Sequence, residues 1–269
     1  MMTTLTILPK LSVTSRMEGL LWQGGLILIA LLPVTFLVSL DDPRQLNDIN
    51  IWAKPMKFQA SAGLHMMTLA FVARYISADV RGKPLVYGLC WVLTFTAITE
   101  VAYITIQAAR GRYSHWNFET QFESLMYAAM GVGAVTLILG AAVIGLLVYR
   151  YPVRDMGQGL RLSILLGMVL GFVTTLVVAG YMSQNYGHWV GGIRSDADGL
   201  PLVGWVRSGG DLRVSHFFAM HMMQIIPLIG WVADRWSHRS KRIVIVASAV
   251  SVCVVVATFI QALSGQPFI

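Results

Sequence analysis

Charge is the scarcest property of this chain. Asp, Glu, Lys and Arg together make up 12% of 269 residues, against 56% hydrophobic residues. Soluble domains carry about 25% charged residues. An ordinary water-soluble fold is therefore excluded, as is a disordered chain, which needs high charge and low hydrophobicity. Cysteine is nearly absent. Cys90 and Cys253 both fall inside apolar runs, which points to two buried free thiols and not to a disulfide framework. The strong metal signatures HExxH, ExxH and CxxC are missing, and so is GxSxG, the mark of a common hydrolase nucleophile. No lysine lies inside the last apolar run, so a retinal Schiff base has no anchor there. No internal repeat supports an inverted-repeat transporter fold.

What the chain has is long apolar runs. Seven are long enough to cross a hydrocarbon core of roughly 30 Å, which takes about 20 helical residues. They cover residues 20–40, 57–77, 86–108, 121–149, 160–182, 214–232 and 243–263. Lipid offers no hydrogen-bond partner to the backbone, so these runs predict helices. The expected architecture is an all-α, polytopic bundle of seven spans forming one membrane domain over residues 1–269. No small-residue cleavage site follows Lys10 and Arg16, so the first span is expected to stay as an anchor.

The net charge of +7 is explained by topology. Lys10, Arg16, Arg74, Arg81, Lys83, Arg150, Arg154, Arg161, Arg235, Arg239, Lys241 and Arg242 fall on one side of the seven spans. Only Glu18, Asp79, Asp155 and Asp234 oppose them there. The other side is balanced. The positive-inside rule then places the N-terminus in the cytoplasm and the C-terminus in the periplasm. The expected partners are membrane lipids, not nucleic acid.

The loops are unequal. Those on the basic side are short. Those on the other side, 41–53, 109–120 and 183–213, are longer and rich in aromatics, Gly, Asn and His, as functional loops tend to be.

Polar residues enter the membrane from that same side in stripes. Thr96, Glu100, Tyr103, Gln107 and Arg110 share one helical face. Lys54, Lys57, Ser61, His65 and Thr68 share another, and Arg213, His216, Met220 and Gln224 a third, with His221 about 80° around from Arg213. Glu119, Glu123 and Tyr127 open the fourth span. At about 1.5 Å per residue, Glu100 lies roughly 15 Å inward from Arg110, His65 roughly 12 Å from Lys57, and His221 roughly 15 Å from Asp211. The three reach a common level. The expected shape is a blind polar cavity open to the periplasm. A carboxylate at that depth is costly and points to function, although each polar group alone can also serve as interhelical glue.

Three chemistries suit these residues. Two histidines from different helices can ligate haem b axially; His65 and His221 match best, His216 can substitute, and Arg213, Lys57 and Tyr103 can hold propionates. Copper, iron or zinc would suit His65, His115, His216, His221, Glu123 and Glu100. Proton-coupled transport of an anionic small molecule would use Lys54, Lys57, Arg110 and Arg213 to attract the anion, with Arg binding a carboxylate bidentately, and Glu100 with a nearby His to carry the proton. Glu100, Tyr103 and Arg110 are the candidate catalytic set. A redox role would also require an electron-transfer partner. The blandest alternative is an accessory subunit whose polar groups only pack helices.

Three blocks carry a resemblance: WAKPMKF at 52–58, QAARGRYSHWNFET at 107–120 and GGDLRVSHFFAMHMMQ at 209–224. Together they resemble a group of uncharacterised bacterial integral membrane proteins. The resemblance implies a bacterial inner-membrane protein and carries over no catalytic residue.

Overall fold

The computed structural model describes residues 15–269. Lys10, counted above with the basic side, lies outside them. The described chain is helical: α1 (Arg16–Asp41), α2 (Ala53–Ala73), α3 (Ala78–Arg81), α4 (Pro84–Ala109), α5 (Gln121–Arg150), α6 (Gln158–Gln184), α7 (Leu212–Trp236) and α8 (Ser240–Leu263). Two ribbons of paired dipeptides complete it. β1 (Gln45–Leu46) pairs with β2 (Ile49–Asn50), and β3 (Trp189–Val190) with β4 (Gly210–Asp211), both antiparallel.

Six of these helices, α1, α4, α5, α6, α7 and α8, are long and apolar enough to cross a membrane, so the chain is a multi-pass membrane protein. α2 is long but falls short on apolarity, because Lys54, Lys57, Gln59, Ser61, His65 and Thr68 interrupt it. It also starts and ends four residues earlier than the apolar run suggests. Pro55 is the reason at its start: proline is tolerated in a first helical turn, where its missing N–H loses no bond. At its end, Arg74 is drawn into a buried ion pair with Glu18 of α1.

Helix ends follow local chemistry. Ser15, Thr120 and Asp211 cap α1, α5 and α7 by accepting from the backbone N–H of Glu18, Glu123 and Arg213. The main core joins α1, α2, α4, α5 and α6 around Leu21, Met66, Leu69, Leu93, Ile144 and Ile164. A second cluster ties α6, α7 and α8 through Val178, Ala219, Met222, Ile226 and Val255. Gly167 and Gly171 let α6 close on α7. A β-carbon at 167 would stand 2.8 Å from the Met222 carbonyl, and one at 171 would stand 2.8 Å from Met223 Cγ. Around the outside, Leu26, Phe36, Leu37, Val132, Val177, Leu228 and Val246 face outward, as lipid contact demands. Cys90 is buried as expected, whereas Cys253 is exposed on α8.

The long loops gather at one end and bond to one another. Arg44 donates to the Ala109 carbonyl, Tyr113 to Asn47, the Asp196 N–H to the Asn47 carbonyl, and Ser195 to Asp48. Residues 185–211 thus form a strap that runs from α6 across to the β1–β2 ribbon and back to α7.

Candidate functional site

Glu100 lies on α4 seventeen residues into the helix, against α5. One carboxylate oxygen, Oε1, is buried without a hydrogen-bond partner. It occupies the space over Gly133, where any β-carbon would collide with it; Thr96 Cγ2, one turn earlier on α4, is 3.1 Å from the same point. The stripe on α4 therefore clasps α5 at a glycine, and the sequence carried no sign of that partner.

His65 is 7% exposed and faces the backbone carbonyl of Leu137, one turn beyond Gly133 on α5. Its Nε2 has no partner. Glu100 and His65 thus address one helix from two neighbours, at heights about 6 Å apart along its axis. Deeper along α2, Thr68 accepts from Gln224 of α7 at 3.4 Å, while Gln59 donates to Thr35 of α1 at 2.8 Å. His221 does not join them through a side chain: its Nδ1 lies 2.7 Å from the Phe217 carbonyl of its own helix, with the Phe217 ring stacked at 3.9 Å. His216 keeps a buried Nδ1 without a partner.

Toward the loop end, the expected catalytic residues Tyr103 and Arg110 belong to another group. Gln107 donates to the Tyr103 hydroxyl at 3.0 Å and accepts from Arg110 at 2.8 Å. Glu123, 1% exposed, receives Arg112 at 2.8 Å, with Arg110 at 3.9 Å. These residues lock the start of α5 to the end of α4.

Arg213 is more heavily engaged than its position implied. Its guanidinium donates to Asp211 at 2.7 Å, Asp196 at 2.8 Å and the Gly204 carbonyl at 2.6 Å. Asp196 also bonds His188 Nε2 at 3.0 Å. Burial pushes the His188 imidazole below its ordinary value, against the opposing pull of Asp196. Burial works against charge on Asp196 too, but the His188 hydrogen bond and the Arg213 charge outweigh it and hold the carboxyl below its usual range. Two carboxylates and a carbonyl thus occupy the Nε and Nη2 edge of Arg213, while the side chain stays 23% exposed. His188 and Asp196 escaped notice because their partner lies across a loop whose course no periodicity reveals.

The metal set is not assembled. Among the described residues, no three His, Cys, Asp or Glu side chains stand together in a way that could hold an ion. His65 and His221 sit on different helices with separate carbonyl partners, His115 packs among aromatic rings, and Glu123 is taken by Arg112. Two shallow depressions in the surface also lie elsewhere. One is an apolar groove along α8 from Ile245 to Ala257, and the other a small niche beside Asp211 and Gln261.

Lys54 and Lys57 complete the inventory. Lys57 donates to the Val203 carbonyl of the strap at 3.0 Å. Lys54 lies over the Phe58 ring at 5.9 Å. Neither has a carboxylate within ion-pair distance among the described residues. No protein-family model, no curated protein and no solved structure matches the chain.

Proposed function

We propose that this chain is a proton-coupled carrier or receptor of a small anionic molecule. It spans a bacterial inner membrane seven times, with α2 as the seventh span, its N-terminus in the cytoplasm and its loop-rich end in the periplasm. Glu100 is the group that takes up and releases the proton. The observation that carries this reading is the Glu100 carboxylate itself. The residue is half-buried, but its Oε1 is fully enclosed, lacks a partner and is fitted to a glycine on the facing helix. An unpaired carboxylate charge among apolar helices is costly. Structural glue would have a donor opposite it, and here a bare helix surface takes that place. His65, which faces α5 one turn from Gly133, is a group suited to pass a proton onward. The orientation rests on the basic excess of the short loops.

The test is direct. Infrared difference spectra of the purified protein, taken while pH is stepped, should show a carboxylic-acid C=O stretch that disappears in Glu100→Gln. A parent protein without that band, or a variant that keeps it, would overturn the reading. Orientation is checked with Arg194→Cys, which should react with an impermeant maleimide applied to intact cells.

A second reading has one observation in its favour. His65 and His221 each turn a ring toward a backbone carbonyl, which leaves Nε2 as the free nitrogen on both. Ligating histidines are oriented in this way. The pair would hold haem b, which supplies one-electron transfer, and Lys57 would remain as a propionate partner. A Soret band in the purified protein, lost in His65→Ala and in His221→Ala, is the required result. A colourless protein purified from haem-replete cells ends this reading.

A further inference from the structure

The anion in the first reading needs a cationic site, and the chemistry at the loop end narrows what it is. Charge balance locates it. At the start of α2 and beneath the strap, Lys54, Lys57 and Arg213 interact with one another and with only two carboxylates, Asp196 and Asp211. The neighbouring set of Arg110 and Arg112 is matched by Glu119 and Glu123. His188 adds no charge, since burial disfavours its protonated form. The same holds for His115, which burial and the nearby Lys54 together push well below its ordinary value. The basic side chains outnumber the carboxylates by one, and both carboxylates are bonded to Arg213. The two lysines are left without a carboxylate of their own among the described residues. Lys57 is already tied to the Val203 carbonyl and pressed toward Gly204. Lys54 has the freer ammonium.

The surroundings of Lys54 are aromatic. Phe58, one turn along α2, packs on His115 at 5.7 Å, and His115 packs on Trp116 at 5.9 Å and on Tyr127 at 6.0 Å. Trp116 adopts φ 52°, a conformation unusual for a bulky residue, and its indole Nε1 is buried with no acceptor. A strained backbone holding an unsatisfied donor is a common property of ligand sites. Phosphate or sulfate would find one surplus charge and a largely apolar wall here. A singly charged molecule with a flat apolar body suits both features.

We infer that Lys54, Phe58, His115 and Trp116 form the binding site for a small aromatic or similarly apolar monocarboxylate. The carboxylate sits on the Lys54 ammonium, and the body lies against the Phe58–His115–Trp116 rings. The strap closes over it through the contacts that Lys57 and Arg213 make at Val203 and Gly204. This deepens the proposed function by naming its ligand class, but it requires no proton movement.

The experiment is calorimetric titration of the detergent-solubilised protein with benzoate, alongside benzamide, benzylamine and inorganic phosphate. Saturable binding of benzoate alone is expected. Lys54→Gln should weaken it about tenfold or more, as expected for loss of a charge-assisted hydrogen bond. Lys54→Arg should retain it, which separates loss of charge from loss of fold, and Lys83→Gln at the opposite end should leave it unchanged. Benzoate binding by a parent protein that shows no carboxylic-acid infrared band would leave this site standing while the proton reading falls. Equal binding of benzamide, preference for phosphate, no binding of benzoate at all, or unaltered binding in Lys54→Gln would each overturn the assignment.

Discussion

The carboxylate of Glu100 and the backbone of Gly133 share one small space, so a side chain at 133 must displace Oε1. Gly133→Ala puts a methyl group where Oε1 now lies and should cost about 1–3 kcal/mol, the usual penalty for overpacking a filled interior. Glu100→Ala alone removes the carboxylate and leaves room. The double variant should therefore be more stable than the sum of the single effects, with a coupling of about 0.5–3 kcal/mol between contacting sites. Unfolding of the detergent-solubilised protein by a denaturing detergent measures all three. Strict additivity would show that the two residues do not meet.

At the opposite end, Glu18 and Arg74 form an ion pair in which both side chains are almost fully enclosed, at 0% and 2% exposure. The Arg74 carbonyl also accepts from Arg81 at 3.2 Å, so the pair fixes the end of α2 and the turn into α3. Removing one partner leaves a buried charge. Glu18→Ala or Arg74→Ala should each cost about 3–5 kcal/mol, whereas Glu18→Leu combined with Arg74→Met should recover much of that loss. The same unfolding assay decides it. A pair of single variants within about 0.5 kcal/mol of the parent would mean that water reaches the site.

How far these features could be read from the residues depends on their range. Apolar runs placed α4, α5, α6 and α8 within three residues at each end. The requirement for continuous helix across lipid leaves little freedom there. α2 was misplaced by a turn because its boundaries come from Pro55 and from the Glu18–Arg74 pair, one a backbone effect and the other a long-range contact. The stripe on α4 was visible as a periodicity, but Gly133, the surface it meets, looks like any other glycine in an apolar helix. Arg213 was read as an anion binder, Asp211 two residues away served only as a depth reference, and Asp196 is brought to it only by the course of the strap. Side-chain periodicity reports which face a residue occupies, and the partner across the interface is a tertiary fact.

The loop end, strap included, should loosen as pH falls, because of the groups that titrate there. His188 and His115 are both held below the ordinary histidine value by burial, so the folded chain resists protons that the unfolded chain accepts below about 6.5. Wherever the unfolded state binds more protons, stability rises with pH. Lowering pH through 6.5 therefore removes stability, at no more than about 1.4 kcal/mol per pH unit for each histidine. Asp196 is also held below its ordinary 3.8, so its contribution is present above that value and drains away as pH falls further. The two effects add in sign. Between pH 7.5 and 5.5 the parent should lose thermal stability, with earlier proteolytic cleavage inside residues 185–211. His188→Gln should flatten the part of the pH profile owed to that ring. Asp196→Asn should instead lower stability at every pH above about 4, because it removes one of the two carboxylates on Arg213 and the acceptor of His188. If the parent profile is flat across that window, the histidines of the loop end exchange protons freely with water and the strap is open in solution.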